Sequence, residues 1–389
     1  MNQTTNSGRI YAWDALRAIM MLLGIVLHAA ITYGSHDYGT FWPIKNPENS
    51  ILFDLMVALI HFFRMPVFFV AAGYFGALLF YKKGSKQMLT NRVKRIFLPL
   101  LAGVLIVYPL AIFAFSYTAA AFIHAAKPFN VAWNVIVSGR FLPFSVLHLW
   151  FLYFLILYSF MGWLVARLFN RETAFTTLSK TLFTYILQNS WLRVGVLSAL
   201  YFICLWWIGE PSLTTNNKWS IELPIFMTYF LFFETGWVIF VTKTLEKLSN
   251  CPKRQLGVAA LLFLTFIFTP WGDSIETLYV REGLAALFGV LFIFGFIALF
   301  MTYFNTRSRV LSYIMDASYW VYIIHLPVVA FLPGLFAAFA IPVFFKFLMA
   351  LSLTTFICFA SYHFAVRNSF IGKFLTGKTH KSSNNWGEK

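Results

Sequence analysis

Ten long apolar stretches most strongly limit how this chain can fold. A helix needs about 20 mostly apolar residues to cross the hydrocarbon core of a bilayer. The chain has 60% hydrophobic and only 11% charged residues, which is not the usage of a water-soluble domain. An all-α, polytopic bundle of about ten transmembrane helices is therefore predicted. The stretches cover residues 11–33, 52–81, 96–117, 145–168, 194–209, 222–242, 256–270, 283–303, 311–332 and 342–366.

The net charge of +16 is concentrated in alternate connecting segments. Basic runs follow the second, fourth, sixth, eighth and tenth stretches, whereas the loops between them hold few Lys or Arg. The positive-inside rule then places every basic segment, and both termini, in the cytoplasm. Nucleic-acid binding is not expected, because the basic residues form no continuous stripe. We divide the chain into a short cytoplasmic segment 1–10, a membrane domain 11–366 and a basic tail 367–389 that we expect to be disordered.

The first stretch carries three ionisable residues in WDALRAIMMLLGIVLH. Charged groups at membrane depth are costly and usually functional. Asp14 and Arg17 are one helical turn apart and can pair. Arg17 and His28 are separated by nearly three turns, so they share one helix face about 16 Å apart. The structural alternative is an Arg17 that snorkels to the interface and a His28 that is packed and hydrogen-bonded.

The second stretch places His61 and Arg64 one turn apart in HFFRMPVFFVAAGYF. Arg64 is too deep to snorkel, because the basic run lies at the far end of this stretch. It is expected to meet an anion, which is either a ligand or a carboxylate of another helix. The candidates for such an ion pair are Asp14, Glu234 and Glu282.

Further polar residues at membrane depth indicate a polar cavity. His148 opens the fourth stretch and Glu282 opens the eighth, while Ser318, Tyr322 and His325 share one face of the ninth. A buried His can act as a general base toward a hydroxyl, and Arg suits the phosphates or carboxylate of an anionic donor. This combination fits acyl transfer from a thioester to an alcohol.

Two other classes use similar residues. A secondary transporter also places His, Arg and Glu inside the membrane, although two related halves with broken helices are then usual, and the sequence has neither. A non-catalytic sensor or assembly protein is the third class. The sequence has no glycine-rich phosphate loop, HExxH or GxSxG element, so neither a metal nor a serine nucleophile is expected.

Four motifs, in family order, resemble those of the acyltransferase-3 family of membrane acyltransferases. Arg17 and His28 match the Arg-x10-His signature, and WDALRA is similar to the opening LDxLRA segment. FRMPVFFVAAGYF resembles the second-helix motif, although Ala72 replaces the usual Ser, which argues against a catalytic hydroxyl there. HLWFL around His148 and ASYWVYIIHLP around His325 resemble two later motifs. The similarity spans residues 10–366 and is nearest to the osmoregulated periplasmic glucan succinyltransferases.

The resemblance implies a ten-helix enzyme of the bacterial cytoplasmic membrane. It would move a succinyl or acetyl group from cytoplasmic acyl-coenzyme A to a hydroxyl of an extracytoplasmic glycan, such as periplasmic glucan. Acyl-coenzyme A is then a co-substrate, and no permanently bound cofactor is expected. The expected catalytic residues are His28 with its motif partner Arg17, near the donor, and the adjacent Asp14. The substrate- and donor-binding candidates are His61, Arg64, His148, Glu282, Ser318, Tyr322 and His325.

Overall fold

The computed structural model describes residues 10–169 and 172–377, and within them the regular structure is helical. A single β-bridge within these ranges joins Ser145 to Lys218. The α-helices are, in chain order, α1 Tyr11–Ile31, α2 Ile51–Lys83, α3 Ser85–Arg92, α4 Leu98–Phe122, α5 Pro128–Val135, α6 Trp150–Leu168, α7 Ala174–Gln188, α8 Ser190–Ile208, α9 Leu223–Thr242, α10 Pro252–Phe268, α11 Ile275–Tyr303, α12 Arg309–Leu335, α13 Val343–Ser361 and α14 Phe370–Thr376.

Among the described residues, nine helical segments are long and apolar enough to cross a membrane. Three of these segments are longer than a single α-helix. One joins α3 to α4 through a helical turn, one begins with a turn before α6, and one continues for a turn beyond α13. The spans are α1, α2, Ser85–Phe122, Leu147–Leu168, α8, α9, α11, α12 and Val343–Val366. The predicted fold class, an all-α polytopic membrane bundle, is confirmed.

The seventh predicted span, 256–270, is not among these nine; it forms α10, which has 17 residues. At 1.5 Å per residue α10 is about 26 Å long, which is slightly less than the hydrocarbon core of roughly 30 Å. α10 packs along α11. The cytoplasmic location of both termini and the three-part division of the chain stay predictions. Residues 1–9 and 378–389, on which part of that division falls, lie outside the described residues.

Helix α1 lies in the interior of the bundle. It contacts α2, α11, α12 and α13, and 67% of its most apolar window is buried, compared with 17% for α8. Both helices are apolar, so burial rather than hydropathy separates an interior helix from one that faces lipid. Of the ionisable residues of α1, His28 is buried, whereas Asp14 and Arg17 are half-buried.

Two glycines permit a close crossing of α2 and α9. A Cβ atom on Gly73 would lie 1.8 Å from the carbonyl oxygen of Phe233, and one on Gly236 would lie 1.8 Å from that of Val70. Small residues at such crossings let two backbones touch. The contact holds α2 just beyond Pro66, and so fixes the depth at which Arg64 enters the bundle.

Candidate active site

Two adjoining cavities lie inside the bundle and share Arg64, Met65 and Tyr322 in their walls. The first, which we call the histidine cavity, has a volume of about 570 Å³. The second, which we call the arginine cavity, has a volume of about 350 Å³. The histidine cavity is named for His28, His61 and His148 in its wall. The arginine cavity is named for Arg17, Arg64, Arg92 and Arg95.

Helix α1 supplies a residue to each cavity. It runs unbroken from Tyr11 to Ile31, so Arg17 and His28 are about 16 Å apart along its axis. Arg17 lines the arginine cavity and His28 lines the histidine cavity. Asp14 lines neither, but its charge acts on Arg17. The spacing found in the sequence thus corresponds to a separation between two neighbouring cavities.

The histidines of three different segments pack against one another. The ring centroids of His28 and His325 are 5.2 Å apart, and those of His148 and His325 are 5.0 Å apart. On another side, the His28 ring stacks on Trp42 at 5.4 Å with an interplanar angle of 18°. These contacts fix the imidazole of His28 in the wall of the histidine cavity, next to a residue that lines the arginine cavity.

Hydrogen bonds to the α12 backbone orient two of these rings. Nε2 of His148 lies 2.9 Å from the carbonyl oxygen of Tyr322 and 3.1 Å from that of the next residue. The Tyr322 hydroxyl donates in return to the carbonyl of His148, at 2.6 Å. Nδ1 of His325 lies 2.8 Å from the Tyr322 carbonyl. Because a carbonyl oxygen only accepts hydrogen bonds, each of these ring nitrogens carries a proton.

Three ring nitrogens of the histidine cluster form no hydrogen bond with any described residue. In the part of the chain that the structure describes, Nδ1 of His28, Nδ1 of His148 and Nε2 of His325 are buried without a hydrogen-bond partner. A buried polar atom of this kind is costly unless a ligand or a proton transfer uses it. The three atoms occur together in one cluster beside the two cavities, so these rings keep unused hydrogen-bonding positions near the space that a substrate would occupy.

Arg64 is buried at the boundary between the cavities, with 7% of its surface exposed. Its Nε donates to the carbonyl oxygen of Met20 at 3.1 Å. Its guanidinium lies against Gly24, where a Cβ atom would be 2.3 Å from Nη2. Within the described residues, 10–169 and 172–377, no carboxylate forms an ion pair with Arg64. The structural alternative, an ion pair with Asp14, Glu234 or Glu282, is therefore not observed. Of the two anions considered for Arg64, a carboxylate or a ligand, the ligand is the one that fits this geometry.

Two arginines of the arginine cavity are not among the predicted site residues. Arg92 and Arg95 belong to the basic run after α2, which in the sequence is a topology signal. They are spaced three residues apart immediately before an apolar helix, a signal that they share a helix face. Arg95 Nη1 also donates to the carbonyl oxygens of Lys373 and Phe374 in α14, at 2.8 and 2.7 Å. The C-terminal helix therefore closes part of the arginine cavity.

Two loops of the histidine cavity were also missed. Loop 32–50 contributes residues 36–38, 41 and 42, and loop 209–222 contributes residues 210, 212, 214, 215 and 217. Trp42 Nε1 donates to Thr32 Oγ1 at 3.0 Å, and His61 Nε2 is hydrogen-bonded to the carbonyl of Leu213. Burial, and then the charge of Asp54, raises the pKa of the Tyr38 phenol to about 12, so this hydroxyl keeps its proton to a higher pH than a free phenol does. Loops lack helical periodicity, so no sequence pattern indicated these residues.

The remaining candidates differ in position. Ser318 lines the arginine cavity, where its hydroxyl donates to the carbonyl of Met315 at 2.7 Å, and His325 lines the same cavity. Glu282 is fully buried but lines neither of the two cavities. Both of its carboxylate oxygens are without a hydrogen-bond partner among the described residues. The binding role of Glu282 stays a prediction, and the geometry gives it no support.

Comparison with known proteins agrees with the geometry. Residues 10–363 match the family described as Acyltransferase domain. The chain therefore belongs to the acyltransferase-3 family and is a multi-pass membrane acyltransferase, as the sequence motifs predicted. It is similar to Glucans biosynthesis protein C of Escherichia coli strain SMS-3-5 / SECEC and of strain K12, with 28% identity over 340 residues that cover 83% of each chain. No solved structure matches the chain.

Proposed function

We propose that the protein transfers a succinyl or acetyl group from acyl-coenzyme A to a hydroxyl of an extracytoplasmic glycan. The observation that carries the proposal is the junction of the arginine cavity with the histidine cavity at Arg64 and Tyr322. An anionic donor on one side and a hydroxyl on the other would meet there, beside His28. The relatives are named Glucans biosynthesis protein C, which supports a glucan as the acceptor.

The predicted topology gives each cavity a side of the membrane. Arg92 and Arg95 belong to a basic segment, which the positive-inside rule places in the cytoplasm. The arginine cavity then opens toward cytoplasmic acyl-coenzyme A. The loops of the histidine cavity lie at the opposite end of α1 and would meet a glycan outside. A bacterial cytoplasmic membrane is the location that separates such a donor from such an acceptor.

Charge supports the arginine cavity as the donor site. Coenzyme A carries several phosphate groups, and guanidinium groups bind phosphates with paired, charge-assisted hydrogen bonds. Four arginines line this cavity, and Asp316 is the acidic residue among its lining. We infer that Arg17, Arg92 and Arg95 hold the phosphates and that the thioester reaches Arg64. The acceptor then lies among the polar and aromatic residues of the histidine cavity.

The reaction needs a base and a group that stabilises negative charge. His28 would take the proton of the acceptor hydroxyl while the oxygen attacks the thioester carbonyl carbon. A positioned general base contributes about 10²–10⁴-fold to such a step. The Arg64 guanidinium, which forms no ion pair among the described residues, would stabilise the negative charge that develops on the carbonyl oxygen. The C–S bond then breaks, and an ester and coenzyme A leave.

The test is acyl transfer in proteoliposomes. Labelled acetyl- or succinyl-coenzyme A is supplied at the side of the arginine cavity, with a glucan acceptor at the other side. We expect an acylated glucan, identified by its mass, and free coenzyme A. His28→Ala should abolish the product without lowering expression, whereas Lys83→Ala, at an exposed position of the basic segment, should not. Full transfer by His28→Ala, or glycan uptake without acylation, would overturn the proposal.

A further inference from the structure

His28 and His325 form a pair that bridges the two cavities. His28 lines the histidine cavity, whereas His325 lines the arginine cavity. Their ring centroids are 5.2 Å apart, and both side chains are buried, with 9% and 2% of their surface exposed. The pair therefore has one imidazole on the acceptor side and one on the donor side, with little access to water.

The hydrogen bonds of His325 decide which of its nitrogens can react. Its Nδ1 donates to the carbonyl oxygens of Tyr322 and Val321, at 2.8 and 3.2 Å, so Nδ1 carries the proton of the neutral ring. Nε2 is then the basic nitrogen. It is buried and has no hydrogen-bond partner within the described residues. His325 is thus fixed in the tautomer that accepts and returns a proton at Nε2.

Acyl transfer has a second proton requirement besides the deprotonation of the acceptor hydroxyl. When the thioester C–S bond breaks, its electron pair goes to sulfur, and the thiolate becomes a thiol only by receiving a proton. The acceptor hydroxyl loses its own proton to His28. His325 is adjacent to His28 and lines the donor cavity, so it is placed to deliver a proton to the sulfur.

We propose, on the basis of the acyl transfer proposed above, that His325 is a catalytic acid that protonates the leaving sulfur of coenzyme A. The acceptor oxygen bonds to the carbonyl carbon, and its proton goes to one ring nitrogen of His28. The proton on the other nitrogen of His28 passes to Nε2 of His325. His325 then gives this proton to the thiolate as the C–S bond breaks. One ester and one thiol are formed, and both imidazoles return to the neutral state.

A change of leaving group tests this role. In acetyl-seleno-coenzyme A, selenium replaces the thioester sulfur, and a selenolate leaves at neutral pH without a proton. With acetyl-coenzyme A, His325→Gln should lower kcat by about 100-fold, the lower end of the range for acid–base catalysis. With the selenium donor the loss should be less than about 10-fold. His28→Ala should lose nearly all activity with both donors, because either donor needs the base that deprotonates the acceptor. Succinyl donors serve in the same way if acetyl is not transferred.

A second substitution separates the chemical role from a structural one. The side-chain amide of His325→Asn can donate to the same α12 carbonyls that Nδ1 contacts, but it has no group at the position of Nε2. If His325 only supports the backbone of α12, His325→Asn should keep nearly full activity. If Nε2 is the acid, His325→Asn should show the same donor-dependent loss in kcat as His325→Gln, with little change in the KM of the donor.

The wild-type protein gives a measurement that does not depend on a variant folding. Its solvent deuterium isotope effect on kcat should be smaller with the selenium donor than with acetyl-coenzyme A. Equal isotope effects, or equal losses of the His325 variants with both donors, would overturn the role of His325. The acyl transfer proposed above would stand in that case, because it fails only if the wild-type protein forms no acylated product.

Discussion

Replacing Gly24 by alanine tests whether the position of the Arg64 guanidinium controls turnover. A Cβ atom on Gly24 would lie 2.3 Å from Nη2 and 2.8 Å from Cζ of Arg64. Ordinary contact begins at 3.4 Å, so the guanidinium has to move by about 1 Å. The end of a long side chain can yield in this way, but Nε of Arg64 is held by the Met20 carbonyl at 3.1 Å.

The two consequences differ in size. Weakening the Arg64–Met20 hydrogen bond lowers the free energy of unfolding by about 1 kcal/mol. Displacing a charge-stabilising group by about 1 Å lowers turnover by roughly 100-fold. Gly24→Ala should therefore lose acyl transfer while it remains nearly as stable as the wild type. A structural role alone would lower activity and stability together.

The assay compares acyl transfer in proteoliposomes with thermal unfolding in detergent. Gly195→Ala is the matched control, because this glycine also lies within a helix and a Cβ atom there has no neighbour within 4 Å. The control should keep its activity, with a gain in stability of up to about 1 kcal/mol from the higher helix propensity of alanine. Wild-type turnover by Gly24→Ala would refute the placement of Arg64 at the reacting group.

Three further predictions follow from the same contacts. Arg64→Ala should lower kcat/KM by about 100-fold or more, whereas Lys83→Ala, at an exposed position, should change it little. If both variants had small and equal effects on donor binding and turnover, Arg64 would not be a buried cation that faces the ligand. Gly236→Ala places a Cβ atom 1.8 Å from the Val70 carbonyl oxygen. Because backbone cannot move aside as the end of a side chain can, this substitution should lower the free energy of unfolding by about 3 kcal/mol. Gly257→Ala, with no neighbour within 4 Å, is its control, and equal melting temperatures would contradict the close crossing. Leu375→Asp puts a carboxylate in the wall of the arginine cavity and should raise the donor KM about 10-fold by competing with phosphate for the arginines. Phe370→Asp, at a 79% exposed position of the same helix, should not raise it, and an unchanged KM for Leu375→Asp would exclude phosphate binding near α14.

Much of the candidate site could be predicted from the sequence because an ionisable residue in an apolar helix is conspicuous. Each of six predicted residues lines at least one of the two cavities: His28, His61, Arg64, His148, Tyr322 and His325. Glu282 is equally conspicuous but lines neither cavity. An acidic residue in an apolar helix can be recognised from the sequence, but the direction in which its side chain points cannot. Arg92, Arg95 and Trp42 were overlooked for the opposite reason. They lie in basic or loop segments, where charge and aromatic residues are ordinary.

The class of fold and the separation of Arg17 from His28 follow from the amino-acid sequence alone. Both depend on local rules, namely the length of apolar segments and the fixed rise of a helix. The packing of the helices is needed to see that Arg64 lies against Gly24 without an ion pair among the described residues. It is also needed to see that His325, in the wall of the arginine cavity, contacts His28, in the wall of the histidine cavity. These contacts join α1 to α2 and α12, and the packing of helices within a bilayer depends on side-chain fit that hydropathy does not encode.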